Sequence, residues 1–130
     1  MSRLSLAFFA TAVVCALIGM AWGMQMGIVD NFTLAPAHAH LNLVGWTTLA
    51  LMGAFYALAG DRVSCRLGWI NYALSTLGVV VMIPSLAILL STDNKTNPGI
   101  VIGSLLVFAG MAVFLAAVIS AARTASRGRA

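Results

Sequence analysis

Four apolar stretches, Leu4–Met24, Leu41–Ala59, Leu67–Leu90 and Ile100–Ala122, contain no Asp, Glu, Lys or Arg. Each comes close to the roughly 20 residues that a helix needs to cross the hydrocarbon core of a bilayer. In lipid every backbone polar group must be paired within the protein, which leaves helices and closed barrels. The runs lack the alternation of barrel strands. They predict an all-α chain: one domain over residues 1–130, folded as a four-transmembrane-helix bundle with helices at about 4–24, 38–59, 67–90 and 100–122. Composition points the same way. Hydrophobic residues make up 62% of the chain and charged residues 8%, with a mean hydropathy of +1.02. A small soluble domain must cover a large surface relative to its volume, and ten charged residues cannot do so. Disorder and a disulfide-rich secreted scaffold are excluded on the same grounds.

The net charge of +4 is a matter of topology and not a nucleic-acid footprint. Arg3 precedes the first helix, Arg62 and Arg66 lie between the second and third, and Arg123, Arg127 and Arg129 follow the fourth. Lys95 alone falls on the other side. Basic residues concentrate on the cytoplasmic side of membrane proteins, so both termini are expected in the cytoplasm, with 25–37 and 91–99 as outer loops. Met-Ser-Arg before an apolar run also opens signal peptides, but no Ala-x-Ala site ends this run, and it is read as an uncleaved helix. Cys15 lies inside the first helix and Cys65 in the basic loop. At such different depths they do not pair, and both are expected as free thiols or small apolar packers.

The loop from Ser91 to Gly99, STDNKTNPG, is a polar turn, and Asn94-Lys95-Thr96 matches a glycosylation acceptor pattern. The loop from Gln25 to Ala37 is only mildly polar, and is expected to rest on the membrane or fold over the bundle. Pro84 is expected to kink the third helix. Gly103 and Gly110, seven apart, share a face that should pack closely on another helix. Asn71 reads as an interfacial or packing polar group. The three acids, Asp30, Asp61 and Asp93, all lie in loops.

Chemistry concentrates at the start of the second helix, Pro36-Ala37-His38-Ala39-His40-Leu41-Asn42-Leu43-Val44-Gly45-Trp46. Both histidines of the chain are here, and Pro36 suits a first helical turn, where its missing N–H costs nothing. Histidine is a frequent metal ligand. At membrane depth it faces protein or a cavity, although at an interface it can also reach to water. Residues two apart on a helix point about 200° away from each other. His38 and His40 therefore cannot clamp one ion together, and each needs its own partner. Asn42 stands one turn after His38, with Gly45 following on the same face. Gly45 serves either the approach of a flat ring to the backbone or helix packing. Trp22 and Trp46 serve as interfacial anchors or as walls for a ring.

The segment AHAHLNLVGWTTLALMGAFY resembles a helix of the haem-copper oxidase catalytic subunit, a family that includes nitric oxide reductases. In that family a helix opens with His-x-His at its outer end, one histidine on the low-spin and the other on the high-spin haem. An aromatic pair closes it. His38, His40 and Phe55-Tyr56 match those positions, and His38 with Gly45-Trp46 is also similar to a second family helix that carries one haem-ligating histidine. Small bacterial proteins with this segment are commonly grouped with cytochrome c oxidase subunit I. The likeness covers about 20 of the 130 residues. It implies a bacterial inner or plasma membrane, a b-type haem, His38 and His40 as iron ligands at the outer face, and Asn42 and Gly45 as further cofactor-binding residues. The family subunit has three pseudo-symmetric groups of four helices and six metal-binding histidines. This chain has one such group and two histidines, so oxygen reduction by a single chain is not expected.

The arithmetic suggests a homo-oligomer. Three copies in a ring would rebuild the architecture, each haem taking His38 of one copy and His40 of the next. A dimer would use the same ligands. The role expected is electron transfer or a related oxidoreductase function. Two other readings stand beside it. Met20, Met24 and Met26 lie near the histidine pair, and thioether with imidazole suits Cu(I), which makes copper binding an alternative. A non-enzymatic accessory or assembly subunit is the other.

Overall fold

The computed structural model describes residues 1–92 and 97–127, the side chain of residue 127 excepted. Helix α1 spans Arg3–Val29, α2 Ala35–Arg62, α3 Cys65–Ser91 and α4 Pro98–Arg127. All four are long and apolar enough to cross a membrane. At 27 residues, α1 is about 40 Å long, enough to pass the hydrocarbon core and enter the headgroups. Among the described residues there is no strand.

The helices run past the apolar stretches because hydrogen bonding, not hydropathy, sets their ends. The Ser2 side chain accepts from the Ser5 N–H at 3.1 Å and starts α1. At the other end α1 does not stop at Met24. It continues over Gln25–Val29 until Asp30 turns left-handed, with φ 49°, and its N–H returns to the Met26 carbonyl. The expected loop at 25–37 thus shrinks to five residues, Asp30 to Leu34, before α2 opens with Pro36 in its first turn. The Asn94-Lys95-Thr96 pattern, Asp93 and Arg129 lie outside the described residues.

Small residues join the helices into two antiparallel hairpins. A Cβ on Gly103 would come within 2.7 Å of the Met82 backbone, and one on Gly110 would strike the Ser75 hydroxyl. The shared glycine face of α4 therefore lies against α3, as expected from its spacing. In the other hairpin the Ser5 hydroxyl of α1 donates to the Gly53 carbonyl of α2 at 2.9 Å. Without a hydrophobic drive between helices in lipid, such close approach is what supplies packing energy.

Side chains join the two hairpins. Near the arginine end, Phe8 of α1 stacks on Tyr56 and meets Tyr72 edge-on, with centroids 5.4 and 5.1 Å apart. Phe55 meets Phe114 of α4 at 5.1 Å. Asn71, fully buried, donates to the Tyr56 hydroxyl at 3.0 Å and accepts from Ser75 at 3.1 Å. It is the packing polar group that its place on α3 suggested. A second cluster, Cys15, Leu41, Val79, Met82 and Ile83, fills the histidine half. Cys15 is buried and Cys65 exposed, and both are free. Helix α3 runs unbroken through Pro84. The outside is apolar to a degree unsuited to water, with Ile28, Leu58 and Phe108 each at least 74% exposed.

Candidate functional site

Helix α2 is not uniform. Ala35–His40 is α-helical, Leu41–Thr48 is a π-helix, and Leu49–Ala59 returns to α. Side-chain hydroxyls follow the wider turn. Thr47 donates to the Asn42 carbonyl at 3.2 Å and Thr48 to the Leu43 carbonyl at 2.8 Å, both five residues back. Elsewhere Ser91, Thr92 and Ser126 bond the carbonyl four residues back, as helical hydroxyls ordinarily do.

The π turn answers a packing demand. The buried positions of α2 are Ala37, Leu41, Gly45 and Leu49, in steps of four, then Met52 with Gly53, Tyr56 and Ala59. In an ideal α-helix three steps of four carry a stripe about 120° around the axis. The extra residue of the π turn absorbs that drift and keeps one face on the bundle. Mid-helix π turns cluster at functional sites, and this one begins directly after the histidine pair.

The two histidines occupy opposite faces. His38 is half-buried against α1, where a Cβ on Gly23 would sit 3.0 Å from its Cε1. Asn42 lies beside it. Its amide donates to the His38 carbonyl at 2.9 Å and stands 3.4 Å from each ring nitrogen. The carbonyl bond is the directed one, because a single amide cannot aim well at both nitrogens. Asn42 in turn rests on Gly19, where a Cβ would fall 2.6 Å from its Oδ1. Gly45 is buried, with Cys15 and Leu41 at 3.1–3.2 Å from a built Cβ. Of the uses open to it, helix packing is the one on view. A stripe on α1, Cys15, Gly19 and Gly23, thus seats Gly45, Asn42 and His38 in antiparallel order.

His40 points away from this seat and is exposed. Its Nδ1 lies 2.8 Å from the Pro36 carbonyl. A carbonyl only accepts, so Nδ1 carries the proton and, in the neutral ring, Nε2 keeps an open lone pair. A backbone carbonyl that fixes the tautomer in this way is the usual companion of a metal-ligating histidine.

Other expected participants disperse. Met20 and Met24 are over 60% exposed while Met26 is 5% exposed, so the three do not share a face. Among the described residues no group of three His, Cys, Asp or Glu converges. Trp46 is exposed. Trp22 lines a cavity of about 330 Å³ with Gln25, Asn31, Thr33 and Ser91, which neither histidine reaches. The π turn and the glycines under His38 went unread in the sequence. Gly19-x-x-x-Gly23 was the signal for the glycines, and the adjacent Thr47-Thr48 the faint signal for the turn.

No family model, curated protein or solved structure matches the chain.

Proposed function

We propose that the chain is an integral membrane haem protein of a bacterial plasma membrane, with an electron-transfer role. Its haem iron is ligated by imidazoles of the His38–His40 pair, contributed by more than one copy of the chain. The observation that carries the reading is the Nδ1 to Pro36 carbonyl bond of the exposed His40, which in the neutral ring turns the Nε2 lone pair outward. Such a nitrogen fits the axial position of a haem. The haem would be held without covalent attachment, since that needs a Cys-x-x-Cys-His segment and both cysteines lie far from the pair in sequence, and we take it as b type from the resemblance. Asn42 and Gly45 contribute by seating the start of α2 on α1. Held by these imidazoles, a haem would supply a one-electron couple.

The orientation belongs to the same proposal. Arg3, Arg62, Arg66 and Arg123 mark one end of the bundle, which we assign to the cytoplasm. The histidines then stand at the outer face.

Expression in haem-replete cells, purification in mild detergent and a visible spectrum test the reading. A low-spin haem spectrum that His40→Ala removes is expected. Colourless protein that takes up no haem on reconstitution overturns it, as does copper in place of haem absorbance.

A further inference from the structure

The two histidines are not equivalent, and the difference decides how a haem is shared. His38 is half-buried: its ring lies on Gly23, with the Asn42 amide 3.4 Å from each ring nitrogen. A ring of three copies that uses His38 and His40 together requires the His38 side chain to leave this seat. His40 needs no movement, since its tautomer is set and its Nε2 open. The chain holds two histidines in all. With His38 occupied, a second axial imidazole has to come from the His40 of another copy.

Resting on the haem reading above, we infer that one haem is shared by two copies of this chain, its iron held by His40 of each, while His38 is a positioning residue. Membrane insertion favours this arrangement. Copies inserted in the same sense can be related by a two-fold axis along the membrane normal, and that axis puts the same surface patch on both sides. The two His40 residues then stand at equal depth and face each other. Leu43 and Thr47 follow His40 on the exposed face of α2, and become the contact below the haem. Through its carbonyl bond to Asn42 and its place on Gly23, His38 anchors the turn that aims His40.

The test uses the full chain in detergent and in lipid nanodiscs. Haem content against protein content should give one haem per two chains, with a dimer mass by light scattering. His38→Gln should keep the six-coordinate spectrum but bind haem more weakly, since the iron would retain both His40 ligands while the turn that aims them loses its seat on Gly23. His40→Gly should lose both, and added imidazole should restore the spectrum. In a Cys65→Ser background, Leu43→Cys should cross-link two chains of the haem-loaded protein through a bismaleimide spacer, read as a dimer band on a denaturing gel and not by haem absorbance. A ratio of one haem per chain overturns the inference and leaves the haem reading standing. So does a trimer mass, a folded His38→Gln protein without a six-coordinate spectrum, or no cross-link through Leu43→Cys. Protein that takes up no haem in any form overturns both.

Discussion

Gly23 on α1 stands where a Cβ would lie 3.0 Å from Cε1 of His38 on α2. The imidazole is thus seated on bare backbone, and even a Cβ at 23 requires it to give by a few tenths of an ångström. Gly27, one turn on along α1, has nothing within 4 Å of its built Cβ. Gly23→Leu is expected to lower the unfolding free energy by about 1–3 kcal/mol through overpacking. Gly27→Leu should stay within about 0.5 kcal/mol of the parent. Unfolding titrations of the detergent-solubilised protein compare the two. Equal effects would remove the case for a specific seat.

The π turn invites a deletion. Leaving aside the buried Gly53 beside Met52, the buried positions of α2 run 37, 41, 45, 49, 52, 56, 59. Removing the exposed Leu43 turns the spacing into 4, 3, 4, 3, 4, 3, which an ordinary α-helix presents on one face. A chain lacking Leu43 should therefore insert and fold with near-parental stability. Removing the equally exposed Leu51 should not be tolerated, since it brings Leu49 and Met52 within two positions and turns the lower helix off the bundle. Yield of monodisperse protein and circular dichroism decide between the two deletions.

Asn71 ties α2 to α3 through Tyr56 and orients Ser75. Hydrogen bonds between membrane helices are worth about 1 kcal/mol each. Asn71→Leu is expected to cost about that or somewhat more, because the Tyr56 and Ser75 hydroxyls lose a buried partner. Tyr56→Phe in the Asn71→Leu background should then add less than it does alone, a coupling that a double-mutant cycle measures.

Gly103 faces the backbone of Met82, not a side chain that can swing away. Gly103→Leu should push α3 and α4 apart and yield protease-sensitive or aggregated protein. Ile102→Ala, on the exposed side of the same turn, should leave protease resistance unchanged.

Much of the fold was legible because one force dominates it. Runs such as Leu67–Leu90 can live only as helices in lipid, and the pattern of arginines orders their ends. The ends themselves were less legible. Gln25 lowers the hydropathy of its segment but leaves the backbone ladder intact, so α1 continues to Val29. The opposed directions of His38 and His40 followed from the angle per residue. Which of them is covered did not, because that depends on Gly23, fifteen residues away on another helix. The π turn was hidden for a related reason. It is a response to tertiary packing, and Thr47 and Thr48 would have served an α-helix nearly as well.

Those two threonines carry one more implication. They return their hydroxyl protons to the carbonyls of Asn42 and Leu43, which the π turn loosens. A single copy therefore meets the backbone demand of this wider turn from its own side chains, and needs no neighbouring chain to do so.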